Sequence, residues 1–327
     1  MGWERDESSG EVSTKVKDST LVVGILFAAG RGDRLRPLSD RVPKPALPVL
    51  DVPLGAFPLA RLLRVTTDVI VNVHHLGDEV VSALSPFAPD GIDVLHEEND
   101  AFGTAGTLRA LRDRVGSSVL TCNADLLSDL DLEDLLATHR HVGAPATIAI
   151  TRVESGADVT LRGDTVEGLI DRRDDPARPG SRFIGATAFE KQVLSLLPDD
   201  RPAGLTETVL APLIARGELA AHVHEGYALD VGTAERYLEA SIDALNGRGE
   251  APPGGAWPGR IVSGVYIGPG TTVEGTLGPG AVVLAGARVG AGAHVERAIV
   301  WPGEAVPGGR AVVNGIWFDG ALLEGGA

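Results

Sequence analysis

Two patterns of apolar and polar positions take turns along this chain. Short continuous apolar runs predict buried strands, and apolar residues at helical spacing predict amphipathic helices. The first apolar run, Leu21 to Ala28, is continuous and rich in β-branched residues, which is typical of a buried parallel strand. Further strands are predicted at Val69–Val73, Ile92–His96, Ser118–Cys122, Ala146–Val153 and Phe183–Phe189. Helices are predicted at Pro58–Arg64, Asp78–Leu84, Thr107–Arg114, Leu132–His139, Val193–Leu197, Val209–Ala215 and Ala234–Leu245. Strands and helices in this mixture indicate an α/β fold.

A different period begins after residues 247–259, a glycine- and proline-rich stretch that predicts a linker. Across 260–327, small residues recur about every six positions with valine or isoleucine between them, which predicts a left-handed parallel β-helix of roughly three coils. So short a piece needs to pack against the main domain or a second chain, and a homo-oligomer through the β-helix would meet that need. The expected remainder is a disordered tail at 1–20 and a main domain at 21–246.

Charge and cysteine content narrow the function classes. The 327 residues carry a formal net charge of −16, which argues against non-specific nucleic-acid binding. Cys122 is the single cysteine, so an intramolecular disulfide is excluded and a reducing compartment is favoured. Lys15 and Lys17 precede an apolar run, but that run is too short and too closely followed by arginines for a secretory leader. No stretch approaches the roughly 20 apolar residues of a membrane span, so we expect a cytoplasmic protein.

Candidate chemistry begins where the first predicted strand ends. Ala28 and Ala29 lead into a tight turn at Gly30 and Gly32, where free backbone N–H groups can point at an anion and glycine permits close approach. A basic cluster follows in this otherwise acidic chain: Arg31, Arg34, Arg36, Arg41 and Lys44. The stretch is therefore predicted to bind a polyphosphate. It is a poor dinucleotide fingerprint, because Leu35 stands where the third glycine is needed, and a P-loop Gly-Lys-Ser/Thr is absent.

The whole run, G-R-G-D-R-L-R-P-L followed by V-P-K-P-A-L-P-V, resembles the signature of the sugar-1-phosphate nucleotidyltransferases. The most similar branches are the mannose-1-phosphate guanylyltransferases and the muramate-1-phosphate uridylyltransferases. The resemblance covers 21–327, with a gap near 154–182. It implies a Rossmann-like nucleotidyltransferase domain with a mixed, mostly parallel sheet. The implied reaction is Mg²⁺-dependent transfer of a nucleotidyl group from an NTP to a sugar 1-phosphate, with release of pyrophosphate.

The resemblance assigns phosphate contacts to Arg34 and Lys44, and a nucleotide cradle to the turn from Ala28 to Gly32. Lys44 is one of four lysines in the chain and stands between two prolines on a stiff segment. Its compact ammonium suits a point contact to phosphate. The alternative interpretation is a solvated surface lysine.

A second cradle is predicted where Gly103 and Thr104 open a helix, because a helix N-terminus can face an anion or a base. In the family this G-T-A-G segment lies beside the nucleotide. Glu98 resembles the residue that reads the base, and a carboxylate there can accept from guanine N1–H and N2–H₂. That favours GTP over UTP or dTTP, although a solvated acidic turn is the alternative.

Asp125 follows the predicted strand Ser118–Cys122, at the carboxyl end where ligands bind in open α/β sheets. Hard oxygen ligands suit Mg²⁺, and Asn123-Ala124-Asp125 is similar to the family's N-G-D metal motif. A strand-end cap is the alternative role for Asp125. The resemblance places a second Mg²⁺ ligand at Asp230, directly before Val231-Gly232-Thr233.

The chain departs from the family pattern within 154–182, where the lysine of a Glu-Lys-Pro motif usually holds the sugar phosphate. Arg172 or Arg173 could substitute for that lysine, and Gly185 resembles a sugar-contacting glycine. Three further departures are Asp33 for threonine, Ala124 for glycine and Ala228 for tryptophan.

Three alternatives stand beside the first choice, which is GTP with mannose 1-phosphate. The first is an enzyme that uses UTP or dTTP with another hexose phosphate. The second is a non-catalytic regulatory paralogue that binds a nucleotide sugar, which the departures above favour. The third is a hexapeptide acyltransferase, which would need a catalytic histidine within longer coils, whereas His294 is the single histidine of the repeat.

Overall fold

A nine-stranded sheet organises the main domain in this computed structural model, which describes residues 22–97, 101–197 and 202–324. The predicted tail at 1–20 lies outside the described residues. In chain order the strands are β1 (Val22–Phe27), β2 (Pro48–Val49), β3 (Val52–Pro53), β4 (Val69–Val73), β5 (Asp93–His96), β6 (Ser118–Asn123), β7 (Leu126–Ser128), β8 (Ala146–Val153), β9 (Val159–Arg162), β10 (Thr165–Leu169), β11 (Gly180–Glu190), β12 (Leu219–His224) and β13 (Ala228–Asp230). The helices are α1 (Leu38–Arg41), α2 (Ala56–Val65), α3 (Gly77–Leu84), α4 (Gly103–Ala110), α5 (Leu132–Val142), α6 (Ala211–Ala215) and α7 (Ala234–Leu245).

The strand order of the large sheet is β5-β4-β1-β6-β11-β8-β12-β10-β9. Of these nine strands, seven run in one direction, while β10 and β11 pair antiparallel with their neighbours. The expectation of a mixed, mostly parallel α/β sheet is therefore confirmed. β1 and β6 lie side by side and parallel near its centre, so their carboxyl ends meet at one edge.

Helices cover both faces of the sheet. Successive side chains of a strand point to opposite faces, so a strand that is apolar throughout needs a packing partner on each face. On β1, Leu26 joins one apolar cluster with Phe57 of α2, whereas Ile25 joins the other with Leu108 of α4. Leu26 and Ile25 are both fully buried, which explains why the first apolar run shows no alternation in the sequence.

Several predicted bounds agree with the structure, and others shift. β4, β8 and α7 have the predicted limits. The helix predicted at Thr107–Arg114 instead begins at Gly103, ends at Ala110 and is followed by a separate 3₁₀ turn. The helix predicted at Val193–Leu197 is a 3₁₀ helix, Lys191–Leu196, rather than an α-helix.

The C-terminal region folds into stacked coils. Its strands are β14 (Arg260–Val262), β15 (Val265–Ile267), β16 (Thr272–Val273), β17 (Thr276–Leu277), β18 (Val282–Val283), β19 (Arg288–Val289), β20 (His294–Glu296), β21 (Ile299–Val300), β22 (Ala305–Val306), β23 (Ala311–Val313), β24 (Gly315–Phe318) and β25 (Ala321–Glu324). They form three sheets, and within each sheet the successive coils pair in parallel, as Tyr266 with Val282 and Thr276 with His294. The coil interior is filled by Val283, Val289, Val295, Val300, Val306 and Val312, all at most 2 % exposed. This arrangement is consistent with the predicted parallel β-helix, and its left-handed sense stays a prediction.

The coil region packs against the main domain of the same chain. Trp301 lies between Tyr237 of α7 and Phe318 of β24, with ring centroids 6.0 and 5.2 Å away, both edge-on. Asp51, in the turn between β2 and β3, accepts hydrogen bonds from the Tyr266 hydroxyl and the Ala285 N–H, each at 2.9 Å. This contact meets the need for a neighbour that the sequence predicted, and the homo-oligomer stays a prediction.

None of the helices within 22–97, 101–197 and 202–324 is long and apolar enough to cross a membrane.

Candidate active site

A cavity of about 320 Å³ opens where the carboxyl ends of β1 and β6 meet. It lies at the point of the sheet that the sequence predicted. Its lining comprises Phe27, Ala28, Gly30, Gly32, Asp33, Arg34, Lys44, Pro45, Ala124, Asp125 and Gly232. The predicted turn, both predicted phosphate contacts and one predicted metal ligand are therefore gathered around one space.

The turn after β1 is held by contacts on both sides. The Ala28 N–H donates to Asn72 Oδ1 on β4 at 2.8 Å, so the turn starts from a fixed point. Gly32 has a φ of 68°, and a Cβ there would lie 3.3 Å from the Cβ of Lys44. Glycine is thus required where the turn approaches the lysine segment. Gly30 faces open space, because a Cβ added to it would meet no atom within 4 Å, and Ala29 is partly exposed beside it.

Lys44 lies between two carboxylates at the floor of the cavity. Its Nζ contacts Asp125 Oδ2 directly and lies 3.8 Å from Asp230 Oδ1. The Lys44 side chain is 12 % exposed, so the solvated surface alternative is wrong for this lysine. Lys44 is thereby held at the cavity, beside both predicted metal ligands.

The two aspartates meet because their strands form a ribbon. β7 begins directly after Asp125 and pairs antiparallel with β13, which ends at Asp230. The Val231 N–H donates to the Asp125 carbonyl at 3.0 Å and extends this ladder. Burial raises the pKa of Asp230, and the nearby Asp125 carboxylate raises it further, whereas Lys44 lowers it. The strand-end cap alternative for Asp125 is therefore unnecessary, because its carboxylate faces Lys44 and Asp230 instead.

Arg34 lines the cavity next to Gly232. A Cβ placed on Gly232 would lie 3.0 Å from Arg34 Nη2, so the guanidinium crosses directly over the residue that follows Val231. Arg34 sits on the 3₁₀ turn Asp33–Leu35, and its neighbour Asp33 pairs with Arg36 at 3.0 Å. Arg34 and Lys44 therefore line the same space.

Asp125 and Asp230 fit a magnesium site made with substrate. Within the described residues, no group of three or more His, Cys, Asp or Glu side chains is assembled to hold a metal. Mg²⁺ characteristically binds through one or two carboxylates together with substrate phosphates. Two facing carboxylates beside a polyphosphate-sized cavity match that donor set, whereas a metal that requires an all-protein cage would not fit.

Gly103 and Thr104 pack against a neighbouring segment. Gly103 has a φ of 71°, and a Cβ there would clash with the Ala203 carbonyl oxygen. The Thr104 hydroxyl accepts from the Leu205 N–H at 3.0 Å. Neither residue is part of the cavity lining given above, and their nucleotide role stays a prediction. Glu98, the predicted base reader, lies outside the described residues.

Arg172 and Arg173 have different surroundings. Arg172 donates to Asp158 at 2.6 Å and is close enough to Asp230 to lower that residue's pKa. Arg173 is 90 % exposed and pairs with Asp171, and this contact lowers the pKa of Asp171 to about 2. Arg172 therefore pairs with Asp158 within electrostatic range of Asp230, whereas Arg173 is engaged in a local surface pair.

Gly185 packs close to the strand that carries the metal motif. Its φ is 77°, and a Cβ there would lie 2.7 Å from Asn123 Nδ2. This glycine permits β11 to approach the end of β6, and its predicted contact to sugar stays a prediction.

A buried polar network behind the turn was missed by the sequence interpretation. Asn72 donates to Glu97 Oε1 at 2.8 Å, and the Thr107 hydroxyl donates to the same oxygen at 2.6 Å. Glu97 also accepts from the Phe102 N–H at 2.7 Å, and Glu97 is only 4 % exposed. The network ties the turn, through Ala28, to the start of α4. Its sequence signal is an asparagine inside the apolar strand Val69–Val73.

His294 has local partners in the coil. Its ring lies 3.0 Å from Thr276 Oγ1 and 3.0 Å from Glu296 Oε2. Nothing in these contacts adds support to the acyltransferase alternative.

Comparisons with known proteins agree with this geometry. The sequence matches the family model for nucleotidyl transferases over residues 23–247. A mannose-1-phosphate guanylyltransferase of Mycobacterium tuberculosis is 28% identical over 303 residues, covering 89% of this chain and 83% of the relative. A mannose-1-phosphate guanyltransferase of Eremothecium gossypii is 28% identical over 265 residues, covering 77% of this chain and 73% of the relative.

A solved structure shares the fold. A Bacillus anthracis protein named as a glucose-1-phosphate thymidylyltransferase superposes with a TM-score of 0.59 at 21% identity, over 68% of this chain and 95% of that protein. It extends the likeness from sequence to the arrangement of the main sheet.

Proposed function

We propose that this chain transfers the guanylyl group of GTP to mannose 1-phosphate with Mg²⁺. The chain belongs to the nucleotidyl transferase family and is a sugar-1-phosphate nucleotidyltransferase. The choice of base and sugar is supported by the names of the relatives in Mycobacterium tuberculosis and Eremothecium gossypii. The observation that carries the proposal is the position of Lys44 between Asp125 and Asp230 at the floor of the cavity.

The reaction needs positioning and charge neutralisation rather than a protein nucleophile. A phosphate oxygen of the sugar 1-phosphate forms a bond to the α-phosphorus of the NTP, and the bond from that phosphorus to the bridging oxygen of pyrophosphate breaks. Pyrophosphate leaves with the electron pair of the broken bond. Because the attacking phosphate oxygen is already ionised, no proton must be removed from a hydroxyl. Arg34 and Lys44 offset the charge on the phosphates, and such preorganised charge is usually the largest catalytic contribution.

The turn from Ala28 to Gly32 lies beside both cations and would carry the nucleotide phosphates. Asp125 and Asp230 would hold Mg²⁺, which supplies positive charge to the phosphate oxygens when it is bound. The ammonium of Lys44 lies beside these two carboxylates. Lys44 is therefore placed to contact both the metal ligands and the incoming phosphates.

Arg172 would hold the phosphate of the sugar substrate in place of the lysine that related enzymes carry in a Glu-Lys-Pro motif. Its planar guanidinium suits bidentate contact with phosphate. Its closeness to Asp230 supports this role, and the surface pairing of Arg173 with Asp171 argues against the neighbouring arginine.

The direct test measures pyrophosphate release with Mg²⁺ over a grid of GTP, UTP, dTTP, ATP and CTP against mannose, glucose and muramic-type sugar 1-phosphates. We expect the strongest activity with GTP and mannose 1-phosphate. A dominant response with UTP or dTTP would replace the proposed base. If no combination releases pyrophosphate but a nucleotide sugar still raises the melting temperature, the result would instead support the regulatory paralogue.

The metal assignment is tested by Asp125→Asn, with Asp134→Asn on the exposed surface of α5 as a control. We expect the first variant to lose at least about a hundredfold in turnover while keeping its far-UV circular dichroism. The control should retain full turnover. Near-normal turnover of Asp125→Asn at saturating Mg²⁺ would contradict the assignment.

A further inference from the structure

Arg61 is a fully buried cation close to the proposed metal ligands. It lies on α2, and its side chain is 0 % exposed. An arginine is almost never buried to this degree unless its charge is paired and its donors are used. Nη1 and Nη2 both donate hydrogen bonds, whereas Nε has no hydrogen-bond partner among the described residues.

The guanidinium binds the backbone of β7, the strand that starts directly after Asp125. Nη1 donates to the Ser128 carbonyl at 2.5 Å, and Nη2 donates to the Leu126 carbonyl at 3.0 Å. These carbonyls are two residues apart and point to the same edge of the strand. The planar fork of arginine fits such a pair, whereas a lysine ammonium is a single point of charge.

The opposite edge of β7 carries the partner strand. There the Val231 N–H donates to the Asp125 carbonyl at 3.0 Å, and the Asp129 N–H donates to the Tyr227 carbonyl at 3.1 Å. In an antiparallel pair the residues alternate between the bonded edge and the free edge. Leu126 and Ser128 therefore present the free edge, and Arg61 occupies it in place of a third strand. The ribbon that joins Asp125 to Asp230 is thus anchored from one side by Arg61.

The charge of Arg61 is balanced from the linker. Glu250 Oε2 accepts from Arg61 Nη1 at 3.0 Å, and Glu250 Oε1 lies 2.7 Å from Arg64 Nη1. Glu250 is 16 % exposed and belongs to the 247–259 segment between α7 and the coil region. The carboxylate that neutralises the buried anchor therefore comes from the chain segment that leads to the coils.

We propose that Arg61, neutralised by Glu250, is a positioning residue that sets the distance between Asp125 and Asp230 for metal binding. This inference rests on the proposed role of the two aspartates. Residues that orient metal ligands from behind typically change metal affinity by 10- to 100-fold when they are replaced.

The experiment compares Arg61→Lys and Glu250→Gln with wild type and with Arg64→Gln. Arg61→Lys keeps the charge but loses the fork, and Glu250→Gln keeps an acceptor but loses the charge. Arg64→Gln removes the other partner of Glu250 without touching β7 and is the matched control. Two readouts are taken on the full chain: the affinity for Mn²⁺ alone, by electron paramagnetic resonance, and amide hydrogen exchange in residues 126–128 and 228–230.

We expect Arg61→Lys and Glu250→Gln to bind Mn²⁺ about tenfold more weakly and to exchange faster in both strands, with circular dichroism unchanged. The Mg²⁺ concentration for half-maximal turnover should rise in parallel, while Arg64→Gln behaves as wild type. Unchanged Mn²⁺ affinity and unchanged exchange in folded Arg61→Lys would overturn the proposal. If the substitution prevents folding, Glu250→Gln decides by the same two readouts.

Asp125→Asn in the same titration separates this inference from the proposed function. Loss of Mn²⁺ binding in Asp125→Asn together with normal binding in the Arg61 and Glu250 variants would refute the positioning role alone. Unaltered Mn²⁺ binding in Asp125→Asn would refute the metal assignment, and hydrogen exchange would then decide whether Arg61 anchors the ribbon.

Discussion

Replacing Asp51 by alanine should weaken the contact between the coil region and the main domain. The loss of stability should exceed the loss caused by removing an exposed ion pair at the same interface. Asp51 accepts two hydrogen bonds of 2.9 Å, from Tyr266 and from Ala285, and both donors belong to the coils. Removing the carboxylate leaves both of these partly buried donors without an acceptor, which costs about 1–3 kcal/mol for each donor. We therefore expect Asp51→Ala to lower the free energy of unfolding by about 3 kcal/mol.

Asp319→Ala is the matched control. Asp319 also faces the main domain, where it lies 3.4 Å from Arg41, but its side chain is 74 % exposed. Both aspartates have a positive φ, 64° at Asp51 and 51° at Asp319, so alanine introduces similar backbone strain at each. An exposed ion pair contributes about 0.2–1 kcal/mol, and the difference between the variants isolates the buried hydrogen bonds.

The assay is urea unfolding followed by tryptophan fluorescence, because Trp301 lies at this interface. Equal midpoints for Asp51→Ala and Asp319→Ala would refute the reasoning. A pH series gives a second check. Burial raises the pKa of Asp51, so the folded state binds a proton more tightly than the unfolded state does. The contribution of this residue to stability should therefore fall as the pH rises from about 3.8 through the raised value, and Asp51→Asn should remove that dependence.

Three further predictions concern the site. Lys44→Met should lower turnover at least about a hundredfold, measured by pyrophosphate release, while Lys191→Met on the surface leaves it unchanged. Arg172→Gln should raise the KM for the sugar phosphate about tenfold or more with a smaller effect on the KM for the NTP, and Arg173→Gln should change neither; equal effects would argue against the assignment. Gly185→Ala should lower the free energy of unfolding by about 1–2 kcal/mol, because its Cβ would press on Asn123 at a positive φ, and an unchanged melting temperature would contradict this.

The sequence was most informative where long periodic segments decide the element. β8 and α7 were predicted to the residue because each carries a sustained period of its own. β7 and β13 were missed because each is three residues long and is defined by its pairing with a strand about a hundred positions away. β12 was missed as well, since Leu219–His224 mixes small, polar and apolar residues without alternation.

The candidate site also contains residues that the sequence predicted and residues that it missed. The glycine turn, Lys44 and the two aspartates were predicted because a resemblance fixed their spacing. The structure gathers the turn, Lys44 and Asp125 around one cavity, and Asp230 lies 3.8 Å from Lys44. Arg61 was missed because a charged residue inside a predicted apolar helix is ordinarily assigned to the surface. A usable signal was present: Arg61 follows Phe57 by four positions and so shares its buried face.

The segment from α1 to Asp51 contacts the cavity on one side and the coil region on the other. This limits how freely the coil region can be exchanged between relatives. Lys44 and Pro45 line the cavity, while Arg41 lies 5.3 Å from the Phe318 ring and Asp51 binds Tyr266. A chimaera that received the coils of a relative would have to receive matching residues at positions 41 and 51 as well. The coil region is therefore not an interchangeable module, and substitutions on its inner face should be inherited together with those of the signature segment.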